Sequence, residues 1–373
     1  MIYLDYSATT PVDKRVLESF NKASLEFVGN ANSLHKLGVR TKQLEESATK
    51  QIADIIGVKE NEIIYTSGSS ESNNLAIKGI AFKYQNRGNH IITTNLEHAS
   101  IYGPIGYLQQ QGFEIDFVDT NEHGLVDINH LMKLLRKDTI LVSIGAVNSE
   151  TGVVQQIEKI GELLKEEKCF FHVDATQLVG KVKMNFKNVD LISFSAHKFY
   201  GLKGIGCLIK KEKVLLEPLI HGGKSTTKFR SGTPAVPLIA SMAKALRLAD
   251  EAIRYNYDTI RMLNNKLKMA LSEYENVTIN SNEYSIPHIL NISVLGVKPE
   301  TMQHALEEYD IYISTGSACS SGNTVSRSVL EVTKNEEAAK HSIRISLSGL
   351  TTEEEIDKFI ECFDVCYKKL NLK

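Results

Sequence analysis

The sequence lacks most of the features that place a chain in a special class. No apolar run approaches the ~18 residues a membrane span needs, so no membrane association is expected. Against 43 Lys and Arg stand 45 Asp and Glu, a net charge of −2. That leaves no basic surplus for direct nucleic-acid binding and no acidic run to favour disorder. The cysteines (Cys169, Cys207, Cys319, Cys362 and Cys366) are odd in number and scattered, and no C-x-x-C pair occurs. A disulfide framework or a metal site is therefore not expected. Reduced thiols and a cytoplasmic location follow as the expectation. The opening Met1-Ile2-Tyr3 carries no charged segment ahead of an apolar stretch, so no secretory signal is expected. There is no internal repeat, no low-complexity segment and no Gly/Pro-rich linker.

What is present is ordinary globular material, 373 residues with 42% hydrophobic and 24% charged, enough for two cores. Short β-branched or aromatic runs recur at 63–65, 90–93, 113–117, 140–144, 169–173 and 191–194. Between them lie helical spacings such as Ile77, Ile80, Ala81, Tyr84 and Ile157, Ile160, Gly161, Leu164. Strands alternating with amphipathic helices predict a mainly parallel sheet covered on both faces. One long helical region, about 236–272, bridges to a second unit with strand-like runs at 288–293 and 343–346 and a closing helix near 352–370. Two domains packed against each other are expected.

In such a sheet ligands collect at the C-terminal strand ends. Three signals fall there. Phe171-His172-Val173-Asp174-Ala175 puts a carboxylate at the end of a buried strand. Ser193-Phe194-Ser195-Ala196-His197-Lys198 puts an amine just past the next. Tyr65-Thr66-Ser67-Gly68-Ser69-Ser70-Glu71 runs from strand through a small-residue turn into a helix, whose free N–H groups make an anion site. A pyridoxal phosphate site needs these parts: an amine for the Schiff base, a carboxylate for the pyridine nitrogen and donors for the phosphate. His98, in Leu96-Glu97-His98-Ala99-Ser100, is placed to stack on the ring. Singly, each residue has a plainer reading: Asp174 as a helix cap, Lys198 as a surface charge, His98 as a core histidine. Their convergence on one sheet edge makes the case.

Cys319 lies in Ser314-Thr315-Gly316-Ser317-Ala318-Cys319-Ser320-Ser321-Gly322-Asn323-Thr324, among small and hydroxylated neighbours that suit a loop and a reactive thiolate. An incidental loop cysteine is the alternative. The other cysteines fall in apolar patterns and read as packing residues. Arg344, in Ser342-Ile343-Arg344-Ile345-Ser346, is either a solvent-facing strand residue or a clamp for a substrate carboxylate.

Taken together the motifs resemble those of the cysteine desulfurases, NifS/IscS-type, in the class-V aminotransferase branch of pyridoxal phosphate enzymes. The similarity runs nearly end to end: Tyr3-Leu4-Asp5-Tyr6-Ser7-Ala8-Thr9-Thr10-Pro11, Gly29-Asn30 to His35, the 66–74 turn, Glu97-His98, His172 to Gln177, Ser195 to Lys198, Arg230-Ser231-Gly232-Thr233, Ser317-Ala318-Cys319 and Ser342-Ile343-Arg344. The resemblance implies the α/β aminotransferase fold (fold type I). Its large domain, 13–256, would hold a mainly parallel seven-stranded sheet. A smaller α+β domain, 1–12 with 257–373, would carry the Cys319 loop. It implies that Lys198 bears the cofactor and moves the Cα proton, that Asp174 pairs with the pyridine nitrogen and that Gln177 contacts the ring hydroxyl. His98 would stack on the ring and act as acid–base. Ser70, Ser195 and His197 would hold the phosphate, aided by Thr233 from the partner subunit of a homodimer, with Ser69 and Asn148 also against the cofactor. Arg344 would bind the carboxylate of L-cysteine, and Cys319 would be the nucleophile that passes sulfur to an acceptor protein, an iron–sulfur scaffold or a tRNA-thiolating enzyme. The chain departs from the family pattern at Ser149, where many relatives carry a second Asn, at 224–227, and at Val325-Ser326-Arg327. An aminotransferase or selenocysteine lyase on the same scaffold, or a non-catalytic sulfur-transfer partner, are the competing readings.

Overall fold

The computed structural model describes residues 1–183, 185–223, 227–316 and 325–371. Its centre is a seven-stranded sheet in the order Ile63–Thr66, Gly206–Lys210, Leu191–Ser195, Phe170–Asp174, Thr139–Gly145, His90–Thr94, Glu114–Val118. All neighbours are parallel except Gly206–Lys210, which runs antiparallel to both of its partners. The expected mainly parallel sheet is therefore present, with one reversed strand.

The strands are apolar at consecutive positions because both faces are covered. Ile91, Leu141, Leu191 and Leu208 pack with Ile77, Ile80, Ile101 and Ile105 of the helices Ser69–Tyr84 and Ala99–Gln110. Their neighbours Ile92, Val142, Ile192 and Ile209 face the other way, onto a core shared with Ile52, Ile157, Met242 and Leu246. Because the period along a strand is two, each strand feeds both cores.

A third apolar core is built on the antiparallel sheet Ser342–Ser346, Ile289–Val294, Val277–Ile279. Leu4, Leu290, Ile292, Ile343, Ile345, Phe359 and Phe363 fill it. The 36-residue helix Val236–Leu271, about 54 Å long at 1.5 Å per residue, packs on both sheets. Its first half gives Met242 and Leu246 to the large sheet; its second half gives Ile260, Leu263 and Leu267 to the small one. The predicted bridge is thus one continuous rod. The N-terminal residues return to the second unit: Ile2–Tyr3 pairs in parallel with Ile311–Tyr312, and Asp5 bridges to Ser346.

Candidate active site

Parallel strands bring Thr66, Thr94, Gly145, Asp174 and Ser195 to one edge of the large sheet. Gly206, which opens the reversed strand, lies at the same edge because it pairs with both Thr66 and Ser195. A Cβ on Gly206 would sit 2.6 Å from Gly68 Cα, so only glycine lets the Thr66–Gly68 turn lie flat against it. Above this edge opens a cavity of about 260 Å³. Its walls include Ser69, Ser70, His98, Asp174, Gln177, His197, Lys198 and Arg344. Eight of the residues singled out from sequence therefore meet in one place.

Lys198 projects from a short turn that follows the Leu191–Ser195 strand. Its Nζ donates to the carbonyls of Ser7 at 2.6 Å and Ala8 at 2.8 Å. The turn itself is clamped by the N-terminal segment. Thr10 N–H and Oγ1 both donate to the His197 carbonyl, at 2.9 and 3.0 Å, while Thr10 Oγ1 accepts from Tyr200 N–H at 2.7 Å. Tyr200 holds φ at +65°, uncommon for a bulky residue and maintained here by these flanking bonds.

Asp174 is 8% exposed. One carboxylate oxygen accepts from Thr176 N–H at 3.0 Å and the other from Asn73 Nδ2 at 2.8 Å. Asn73 Nδ2 also donates to Ser100 Oγ at 2.8 Å, and Ser100 Oγ lies 2.9 Å from His98 Nδ1. Ser100 N–H donates to that same Nδ1 at 3.1 Å, which leaves the ring proton on Nε2. Burial holds His98 below its ordinary value; Lys198 adds to this and Asp174 opposes it. The imidazole is thus neutral near pH 7. Burial likewise pushes His197 down to about 4, helped by Lys198, and its Nδ1 lies 3.1 Å from Thr9 Oγ1. Glu97, beside His98, is pushed up to about 7 by burial although Gly145 N–H and Thr94 Oγ1 donate to it.

The helix Ser69–Tyr84 begins at the cavity behind Gly68, an N-cap with no side chain to cap its N–H groups. Ser69 N–H donates to Ser195 Oγ at 2.6 Å, so Ser195 borders the helix start without lining the cavity. Glu71 accepts from Ser67 N–H and from Arg230 Nε at 2.9 Å, which ties the 230–233 segment to this helix start. Thr233 is exposed and absent from the cavity wall of its own chain.

Arg344 is 2% exposed, which removes the solvent-facing reading. Its strand is buried at all five positions, so a period-two pattern is missing. Nη2 pairs with Asp5 at 2.8 Å and Nη1 donates to the Ser149 carbonyl at 2.9 Å. Its Nε has no hydrogen-bond partner among the described residues.

Asn148 corrects an expectation. Its Nδ2 donates to the Leu96 carbonyl and Ser328 Oγ, and its Oδ1 accepts from Glu150 N–H, Thr151 N–H and Thr151 Oγ1. The amide is fully engaged in holding the 148–151 turn, and the cavity wall receives Ser149 instead. Cys319 lies outside the described residues. The residues flanking it do not: Gly316 and Val325 line a larger cavity of about 820 Å³, which shares Glu97 with the first. Ser314 N–H and C=O pair with Arg344, while Ser326 Oγ donates to Glu150 Oε2 at 2.6 Å. The remaining cysteines are buried, and burial pushes Cys169 up to about 12 and Cys366 to about 11.

The parts fit pyridoxal phosphate: an amine, a carboxylate on a buried strand end, a neutral imidazole and a helix start with a glycine N-cap share one cavity. Thr176 Oγ1, a buried atom of a residue in its wall, also lacks a hydrogen-bond partner among the described residues, as a polar ligand site requires. The contributions of Asn73, Ser7 and Ala8 were missed from sequence, the last two because any residue has a carbonyl.

The family profile described as Aminotransferase class-V matches residues 2–359. A curated relative, cysteine desulfurase IscS of Vibrio campbellii, is 42% identical over 99% of this chain and 93% of its own. A solved structure named NifS-like protein superposes with a TM-score of 0.93 at 35% identity, covering 100% of both chains. Another, titled SspA in complex with cysteine, gives 0.83 at 32% identity over 94% of this chain and 100% of that one. With fold, cavity and full-length similarity in agreement, the chain belongs to the class-V aminotransferase family, in its NifS/IscS cysteine desulfurase group.

Proposed function

We infer that this chain is a pyridoxal phosphate-dependent cysteine desulfurase, converting L-cysteine to L-alanine and taking the sulfur as a persulfide on Cys319. The observation that carries the reading is the meeting of Lys198, Asp174, His98 and Arg344 in one cavity. The desulfurase relatives and the cysteine named in the SspA structure support the substrate.

When bound, pyridoxal phosphate supplies a carbonyl that condenses with amines and a protonated ring that draws electrons from the attached Cα. Lys198 would give the amine of attachment and, when free, would be the base that takes the substrate Cα proton. The carbonyls of Ser7 and Ala8 steady that amine when free. Asp174 holds the proton on the ring nitrogen by a charge-assisted bond. Gln177, in the cavity wall, would donate to the ring oxygen. Neutral His98, in the cavity wall, would stack on the ring and offer Nε2–H for proton transfer. Ser69, Ser70, Ser195 and His197 hold the phosphate at the helix start. Arg344 binds the substrate carboxylate, and its unpartnered Nε supports this role. The Cys319 thiolate attacks the substrate sulfur. An S–S bond forms as the C–S bond breaks, and the electron pair stays with the three-carbon skeleton, which takes up one proton at Cβ, recovers one at Cα and leaves as alanine. The flanking residues Gly316 and Val325, beside a cavity that shares Glu97, support this reach. So does the burial of Cys169, Cys207, Cys362 and Cys366.

The same proposal includes a homodimer in which Thr233 reaches the partner's phosphate site; its exposure and its absence from its own cavity support that. It includes a cytoplasmic location and an acceptor protein that is an iron–sulfur scaffold or a tRNA-thiolating enzyme. The division into 13–256 and 1–12 with 257–373 is also proposed, supported by the separate apolar cores of the large and small sheets. The test is direct. Protein supplied with the cofactor should be yellow, change colour on adding cysteine, and release alanine and sulfide in equal amounts under a thiol reductant. A keto acid product, or no colour change, would sink the reading.

A further inference from the structure

Behind the cofactor cavity lies a charge that no role above uses. Lys181 follows Gly180, whose φ of +78° turns the chain after the 174–179 segment. A Cβ on Gly180 would stand 2.7 Å from Phe199 Cβ, so the turn presses against the residue next to Lys198. Lys181 as a whole is half-buried, but its charged end is enclosed. With Lys198, Tyr6 and His288 it borders a void of about 20 Å³. Among the described residues no carboxylate forms an ion pair with it; Lys198, Arg344, His197 and His288 are the charged or titratable groups that bear on it. A buried ammonium without a counter-charge is costly and is retained only against a compensating contact.

That contact is Gln177. Lys181 Nζ donates to Gln177 Oε1 at 2.6 Å, and Gln177 Nε2 donates to the Ser7 carbonyl at 2.9 Å. The second hydrogen on Nε2 remains for the cavity, whose wall includes Gln177. Flipping the amide would set Oε1 against the Ser7 carbonyl and Nε2 against the ammonium, two like-with-like contacts. We propose that Lys181 is a positioning residue of the cofactor site, locking the Gln177 amide with its N–H towards the cavity and setting a cation behind the ring oxygen that this N–H would meet. The proposal rests on the pyridoxal phosphate reading above. Burial, with Lys198 and Arg344 adding like charge, pushes Lys181 down to about 7; an anionic ring oxygen at Gln177 would raise it again.

The sign of the effect is fixed. A cation and an aligned donor both disfavour the protonated form of the cofactor held on Lys198, so removing them favours it. Wild type, Lys181→Met and Lys181→Arg are loaded with pyridoxal phosphate and their visible absorbance is titrated across neutral and alkaline pH. The midpoint should rise by about one pH unit or more in the Met variant and return towards wild type in the Arg variant. Lys181→Gln replaces the Met variant if that one does not fold. A structural lysine would alter unfolding without moving the midpoint. A loaded wild type with a visible band, together with uncharged variants that keep its midpoint, overturns this inference alone. A wild type with no band overturns the cofactor reading with it.

Discussion

Asp174→Asn separates a carboxylate that merely fits from one that does electrostatic work. The substitution keeps size and shape but replaces one oxygen with a donor. Both positions already face donors, Thr176 N–H at 3.0 Å and Asn73 Nδ2 at 2.8 Å. Whichever way the new amide turns, one buried donor loses its acceptor, costing about 1–3 kcal/mol of stability. The charge-assisted bond to the ring nitrogen is worth about 1.5–3 kcal/mol, so cofactor affinity should weaken about 10- to 150-fold. At saturating cofactor the remaining loss is chemical, because the ring nitrogen no longer keeps its proton; alanine formation should fall about 10²- to 10³-fold. Affinity is read from a visible titration and turnover from alanine release at saturating cysteine. A cofactor analogue methylated on the ring nitrogen carries its charge permanently. It should therefore narrow the gap between variant and wild type. If Asp174→Asn turned over within about twofold of wild type at saturation, the carboxylate would have no electrostatic role and the reasoning would fail.

Lys198→Ala should lose the visible absorbance of protein-attached pyridoxal phosphate; an unchanged spectrum would remove the attachment site. Cys319→Ser should keep that absorbance yet form no protein-bound persulfide, as followed by mass spectrometry after cysteine addition. Wild-type alanine production by that variant would mean another nucleophile. Glu97 gives a pH test. Its native value is raised to about 7 by burial, above the unfolded value, so its stabilisation is full below about pH 4 and is lost as pH rises through 7. The whole effect is about 3 kcal/mol. In urea unfolding of cofactor-free protein, Glu97→Gln should flatten this slope, and an identical pH dependence in wild type and variant would contradict the assignment.

The parts of the site that were legible from sequence are those with local signals. A strand run ending in Asp174, another ending before Lys198, and a Ser/Gly turn opening a helix each declare themselves within about ten residues, and parallel topology makes their ends coincide. The alternation of periods also carried the long helix, since Val236–Leu271 keeps its apolar stripe as it changes partners. What was not legible is long-range or nameless. The Ser7 and Ala8 carbonyls hold Lys198 through backbone atoms, which have no residue-type signature. Arg344 and Asp5 lie 339 positions apart, and nothing local to either announces the pair. Asn148 and Ser149 are neighbours, so only the turn's own hydrogen bonds decide which side chain faces the cavity.

The opening segment has a consequence for how the enzyme is made. Residues 4–10 come long before their partners in the chain: Asp5 waits for Arg344, Ser7 N–H for Ser346 Oγ and the Leu4 carbonyl for Ser346 N–H. The segment that holds Lys198 is therefore fixed by a strand that lies 339 positions further along the chain. A polypeptide made only as far as the large sheet already holds Lys198, but not the 344–346 partners that fix the segment beside it.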